Sequence, residues 1–344
     1  MYVTLNIVRQ AQQAPYIARY NLEIEASATI LDCLNRIKWE QDGSLAFRKN
    51  CRNTICGSCG MKINGRSALA CKENVGSELS RLAAGVAPII TIAPMGNMPV
   101  IKDLVVDMQS FWDNLEAVDP YVSAQARQLS ADKPLQESLQ TPEERDRLNQ
   151  VGNCILCGAC YSECNAREAN PQFVGPHALA KAQRLIADSR DQKSEERLQQ
   201  YGEGTSGVWG CTRCYFCNTV CPMDVAPMDQ IGEIKQEILA RETAEANRPI
   251  RHRKAMVDLV KRGGWVDERQ FGLIVVGNYL RDLQGLASLG PLGLRMLMRR
   301  KLPWRFEPSE GTQEVRSLIE AVQEHNAAEH SAVERHTAIA AKES

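Results

Sequence analysis

The chain has 344 residues, 44% of them hydrophobic and 24% charged, and its 41 basic and 42 acidic side chains leave a net charge of −1. That length predicts two packed domains with an extension, and the balanced charge excludes a global electrostatic attraction to nucleic acid. The N-terminus lacks the pattern of a signal peptide, and the longest apolar stretch, Phe271 to Val276, is far short of a transmembrane helix. The expected place is therefore peripheral, on the cytoplasmic side of a membrane. Thiols stay reduced there, and thirteen cysteines, an odd number, favour metal binding over disulfides.

Tyr2 to Arg9 alternates in polarity and predicts a strand, with Tyr16 to Glu25 as its hairpin partner. Thr29 and Asp32 read as a capping box opening a helix whose apolar face carries Ile30, Cys33, Leu34 and Ile37. Met61 to Ile63 and Ser67 to Ala70 flank Asn64-Gly65, a dipeptide suited to a tight hairpin turn, and Ile89 to Ile92 closes the sheet. Strands around one helix, with a cysteine loop between helix and hairpin, predict a β-grasp domain over residues 1–104.

From Leu104 the pattern turns helical, and residues 105–240 read as an all-α domain with the amphipathic stretch His177 to Asp188 between two cysteine runs. Residues 241–344 contain no cysteine. They begin basic, turn apolar between Phe271 and Leu297, and end in an Ala/Glu/His-rich tail expected to fray. The fold class is α+β, with a helical C-terminal extension.

Cys51, Cys56 and Cys59 are spaced C-x4-C-x2-C and are followed by Cys71, the plant-type spacing for a [2Fe–2S] cluster. Four thiolates must converge on two irons, so three come from one loop and the fourth from a neighbouring strand. Gly57 and Gly60 allow close backbone approach and amides aimed at the sulfurs. Zinc is the competing reading, although zinc sites use separated C-x2-C pairs, and the absence of histidine from this domain excludes a Rieske centre.

Cys154, Cys157, Cys160 and Cys164 form C-x2-C-x2-C-x3-C, and Cys211, Cys214, Cys217 and Cys221 repeat it, followed by Pro222. In two-cluster proteins of this kind the fourth cysteine of each run ligates the other cluster. One cluster is then expected on Cys154, Cys157, Cys160 and Cys221, the other on Cys164, Cys211, Cys214 and Cys217. Gly152, Gly158 and Gly210 suit loops wrapped around such clusters. Cys33, the thirteenth cysteine, reads as a core residue.

The strings CRNTICGSCGMKINGRSALAC (Cys51 to Cys71), VIKDLVVDM (Val100 to Met108), NPQFVGPHALAKAQRLIADSRD (Asn170 to Asp191) and CNTVCPMDVAP (Cys217 to Pro227) resemble, in that order, the iron–sulfur subunits of succinate dehydrogenases and fumarate reductases. The resemblance implies an electron relay between an FAD-containing flavoprotein, which interconverts succinate and fumarate, and a membrane quinone site. It places the [2Fe–2S] cluster nearest the flavin, the Cys221-containing [4Fe–4S] cluster in the middle and the third cluster distal.

Two departures from that family matter. Common members lack a cysteine where this chain has Cys214, and carry a distal [3Fe–4S] cluster. Cys214 supplies the fourth ligand, so a distal [4Fe–4S] cluster is expected, with [3Fe–4S] as the alternative. The usual Pro and tryptophan pair after Cys164, which helps form the quinone pocket, is replaced by Asn165, Ala166 and Arg167.

Both features resemble the variant succinate dehydrogenases whose anchor is a cysteine-rich, heterodisulfide-reductase-like subunit, which connects to the quinone pool indirectly. KRGGWVDERQF (Lys261 to Phe271) and GPLGLRMLMRRKLPW (Gly290 to Trp304) resemble heterodisulfide-reductase iron–sulfur subunits. That likeness suggests anchor docking by Phe271 to Trp304, with Arg295, Arg299, Arg300 and Lys301 also placed to meet anionic lipid; the competing reading is a solvated basic helix face packed on its own domain. The remaining readings are a relay for another flavoprotein complex (methylmenaquinol:fumarate or heterodisulfide-reductase-like), a free ferredoxin-type carrier, and a zinc-structured module. No catalytic constellation stands out.

Overall fold

Strand β1 (Tyr2–Arg9) buries Val3, Leu5, Ile7 and Arg9 on one face and pairs antiparallel with β2 (Tyr16–Glu23), Tyr2 opposite Glu23 and Arg9 opposite Tyr16. The computed structural model describes residues 1–10, 14–83, 85, 87–123, 139–241, 247–301, 305–325 and 328. Strands β3 (Gly60–Ile63) and β4 (Arg66–Leu69) form the second hairpin, with Asn64 and Gly65 both at positive φ, 50° and 80°. Strand β5 (Ile89–Ala93) runs parallel to β1 and antiparallel to β3, giving the order β2-β1-β5-β3-β4. It lies at the centre of the sheet, and its Ile90 and Ile92 are fully buried.

Helix Ile30–Glu40 packs Ile30, Leu34 and Ile37 into that core. Its start is a capping box: Thr29 Oγ1 accepts the Asp32 amide at 3.1 Å, and the Asp32 carboxylate accepts the Thr29 amide at 3.1 Å. Arg9, although buried, is fully engaged. Its Nε and Nη2 donate to Asp103 at 3.1 and 3.0 Å, and further bonds reach Tyr20 Oη, Ser44 Oγ and Asp42.

The helical pattern expected from Leu104 begins later. Asp103, at φ 50°, turns the chain between β6 (Val100–Lys102) and β7 (Val105–Val106), and the first helix starts at Gln109. The Asp103 carboxylate is held by Arg9 and by the Ala46 amide at 2.9 Å, so a distant partner fixes this turn.

Beyond it, helices Gln109–Glu116, Pro142–Gly152, Pro176–Ile186, Ser194–Gly202 and Pro227–Arg241 surround short helical turns at Ala159–Ser162 and Phe216–Thr219. A sheet with its helix followed by a helical region makes the chain α+β. Met1–Ile238 forms one compact unit and Leu239–Ser344 another. Within the second, Ala255, Ile274 and Val275 make a small core against Phe271, whose ring meets His252 edge-on at 5.0 Å. The tail from residue 329 onward, expected to fray, lies outside the described residues, as do residues 302–304.

Candidate metal centres

The loop entering β3 carries three cysteines on a tightly curled backbone, with Arg52, Thr54 and Gly57 at φ of 58°, 56° and 70°. That curl directs amides inward. The Asn53 and Cys56 amides donate to Cys51 Sγ at 3.3 Å each, and the Cys51 amide donates to Cys56 Sγ at 3.5 Å. Cys71 follows β4 and is brought beside Cys59 by the hairpin, where the Ala70 amide donates to the Cys59 carbonyl at 3.1 Å. Burial, with Cys71 close by, pushes the Cys59 thiol up to about 12, whereas hydrogen bonding to Ser58 and to the Cys51 amide brings Cys56 down to about 6.

The two later cysteine runs adopt one backbone path twice. Leu156 and Gly158 in the first have φ of 53° and 81°, and Arg213 and Tyr215 at the matching places in the second have 59° and 64°. Each left-handed pair turns three sulfurs toward a common recess. One recess, ≈ 400 Å³, is lined by Cys154, Cys157 and Cys160 together with Cys221 from the other run. The second, ≈ 300 Å³, is lined by Cys211, Cys214 and Cys217 together with Cys164. The two runs thus exchange their fourth cysteine.

The chemistry of the donors fits iron–sulfur clusters. Four soft sulfur donors surround each recess, and the rest of the lining is largely apolar, including Phe111 and Val225 in the first and Phe173 and Ile231 in the second. Among the described residues no three His, Cys, Asp or Glu side chains converge closely enough to grip a single metal ion. Burial pushes Cys157 and Cys164 up to about 11 and Cys217 to about 12, and it raises Cys160 and Cys154 as well. Neutral thiols would otherwise persist here, and iron held by these sulfurs would supply the positive charge that stabilises the thiolates.

The first quartet is joined to the second through the β3–β4 hairpin. Ser67 Oγ lies 2.7 Å from Ser162 Oγ and 2.6 Å from Glu163 Oε1, and Lys62 pairs with Glu163 at 3.4 Å. Lys72 Nζ donates to the Pro222 carbonyl at 3.0 Å, next to Cys221. A Cβ at Gly57 would lie 2.8 Å from both Cα and Cβ of Cys157, and one at Gly60 would lie 3.2 Å from the Cys157 carbonyl. These glycines let two cysteine loops touch, a role that local sequence could not reveal.

Four further residues, one histidine and three methionines, were not singled out for this site by sequence reasoning. His177 lines the first recess, stacks on Phe111 at 3.9 Å and donates through Nε2 to the Phe111 carbonyl at 2.9 Å; burial lowers its pKa to about 4. Met95, Met98 and Met108 bring their methyl groups within 3.2 to 3.5 Å of a Cβ built on Gly158. At Gly152, expected near a cluster loop, such a Cβ would face open space, while Gly210 abuts the Thr205 carbonyl. Cys33 is fully buried in the sheet core, which pushes its thiol up to about 12.

A sheet domain with one cysteine quartet and a helical domain with two interlocked quartets define an iron–sulfur electron carrier. A model described as a 2Fe-2S iron-sulfur cluster binding domain matches residues 4–113, and one described as a 4Fe-4S dicluster domain matches residues 150–225. The chain is 34% identical over 235 residues to the fumarate reductase iron-sulfur subunit of Haemophilus influenzae, covering 66% of this chain and 88% of the relative. It is likewise 34% identical over 243 residues to the succinate dehydrogenase iron-sulfur subunit of Coxiella burnetii, covering 69% and 97%. A chain of the Mycobacterium smegmatis Sdh1 complex in the apo form shares the fold, with TM-score 0.59 at 24% identity over 70% of this chain and 97% of that one. The chain belongs to the family of succinate dehydrogenase and fumarate reductase iron–sulfur subunits, electron-transfer components of oxidoreductase complexes.

Proposed function

We propose that the chain relays electrons between an FAD-containing flavoprotein that interconverts succinate and fumarate and a membrane-associated acceptor, through three clusters. The [2Fe–2S] cluster is assigned to Cys51, Cys56, Cys59 and Cys71. A middle [4Fe–4S] cluster is assigned to Cys154, Cys157, Cys160 and Cys221, and a distal [4Fe–4S] cluster to Cys164, Cys211, Cys214 and Cys217. Residues 1–104, whose sheet order supports a β-grasp reading, form the first cluster domain, residues 105–240 the second, and residues 241–344 an extension. The observation that carries this reading is the exchange of Cys164 and Cys221 between two four-cysteine recesses.

When bound, the clusters supply one-electron carriers. The chain's own residues set their surroundings: the Asn53 and Cys56 amides donate to the Cys51 sulfur and favour the more negative, reduced state. Buried Phe111 and Phe173 exclude water from the two recesses. Contact of Gly57 with Cys157 keeps the first two cysteine loops adjacent.

At the distal end, Cys214 is exposed between Arg213 and Tyr215, and Tyr215 and Phe216 are 47% and 50% exposed. This open edge, without a tryptophan pair after Cys164, supports transfer to a cysteine-rich anchor subunit, which would pass electrons on to the quinone pool. Among the described residues no helix is long and apolar enough to cross a membrane, which supports a peripheral place, assigned here to the cytoplasmic side. Co-purification tests the reading. A flavoprotein partner and succinate-dependent dye reduction are expected; a different substrate for the partner, or no flavoprotein, would overturn it.

A further inference from the structure

Beyond the relay, residues Leu283 to Lys301 combine two features that a surface in water does not tolerate together. Helices Leu283–Ser288 and Gly290–Met298 contain no buried residue, yet they are built mostly from leucine, methionine and glycine. Leu283 is 71% exposed, Leu294 58% and Met298 67%, with Leu292 and Leu297 about half exposed. Within Gly290–Met298, Leu294, Leu297 and Met298 share one face by their three- and four-residue spacing, and Arg295 is the helix's one charged residue. A helix this apolar needs cover, and exposed apolar surface of this density marks an interaction site.

The charges select the cover. Leu283 to Lys301 has no acidic residue, and Arg295, Arg299, Arg300 and Lys301 all fall at its C-terminal end. A second copy of the same surface would set four cations against four. Nine helical residues rise only about 14 Å, less than half a bilayer's hydrocarbon core, so the helix lies in the interface. We propose that Leu283 to Lys301 is an interfacial membrane anchor, its leucines entering the acyl boundary of an anionic bilayer while the four basic side chains bind lipid phosphates. The anchor fixes the chain on the bilayer surface without a spanning segment.

The test is flotation of the full-length, cluster-loaded chain with protein-free vesicles of phosphatidylcholine containing about one third phosphatidylglycerol, compared with phosphatidylcholine alone. Wild type floats with the anionic vesicles and is released by high salt. Arg299→Gln with Arg300→Gln lowers the partition constant by about fivefold per charge. Leu294→Glu with Leu297→Glu abolishes flotation while the far-ultraviolet circular dichroism is unchanged, which shows that the helices survive. Failure of wild type to float, flotation indifferent to both double variants, or binding only to vesicles carrying a membrane protein would overturn the proposal, the last by making this surface a protein-docking site.

Discussion

Gly57 and Cys157, one hundred positions apart, are in van der Waals contact: any side chain at position 57 would occupy the space of the Cys157 backbone. The first cysteine loop and the loop that carries Cys157 therefore meet through bare backbone. Gly57→Ala adds a clash to a φ of 70° and should destabilise the chain by about 1–3 kcal/mol. The expected outcome is a protein that keeps its [2Fe–2S] spectrum, melts earlier, and passes electrons from flavoprotein to acceptor more slowly. Stopped-flow reduction of the clusters by succinate checks the last point, and an unchanged rate would remove the contact from the transfer route.

Gly158 and Tyr215 hold equivalent places in the two cysteine runs and share the left-handed conformation, but only one is glycine. Tyr215 tolerates it on an exposed edge, whereas Gly158 faces three methionine methyl groups. Gly158→Ala is therefore expected to cost about 1–2 kcal/mol and to reduce occupancy of the middle cluster more than that of the distal one. Iron and sulfide content, with EPR of the reduced protein, measures the selectivity.

Because Cys164 and Cys221 are exchanged between the two recesses, each cluster, on the proposed ligation, would tie together segments roughly fifty to sixty-five residues apart. Removal of iron by an anaerobic chelator should unfold the helical domain, since metal binding and folding free energy are one quantity here. Far-ultraviolet circular dichroism is expected to lose helical signal in step with the visible absorbance. A helical signal that survives complete bleaching would show that the helices pack without the clusters.

The second buried ion pair gives a pH dependence away from the cysteines. Arg197 donates to Asp191 at 3.2 and 3.3 Å and to the carbonyls of Val118, Asp119 and Tyr121, anchoring the chain after helix Gln109–Glu116. Burial alone would raise the Asp191 pKa, but Arg197 and the Ser123 and Lys193 amides hold it below the usual carboxylate value. A carboxyl depressed in the folded state stabilises fully above its unfolded pKa near 4, and that contribution disappears as pH falls below it. Asp191→Ala leaves Arg197 buried without its anion and should cost about 3–5 kcal/mol at neutral pH. Denaturant midpoints should show the gap between variant and wild type closing below about pH 4.

Local signals made much of this structure legible. The Thr29–Asp32 box, the Asn64-Gly65 turn and the alternation of β1 need only neighbouring residues, and all three appear where the sequence places them. Long-range partners were not legible. Arg9 ends a strand that alternation alone predicts, yet it is buried against Asp103, and that pairing holds the β6–β7 turn where a helix was expected. Cysteine spacing identified the quartets, but neither Gly57 against Cys157 nor His177 beside the first recess leaves any trace in spacing, because each depends on how distant segments pack.

The identity of the distal cluster rests on Cys214 and decides the nature of the relay. Low-temperature EPR of the oxidised, anaerobically purified protein measures it directly, because an oxidised [3Fe–4S] cluster is paramagnetic and an oxidised [4Fe–4S] cluster of this type is silent. A silent oxidised spectrum, with signals from all three clusters appearing on reduction, is predicted for wild type, and Cys214→Ala should introduce an oxidised [3Fe–4S] signal. A stoichiometric [3Fe–4S] signal from oxidised wild type would contradict ligation by Cys214 and return the distal site to three cysteines.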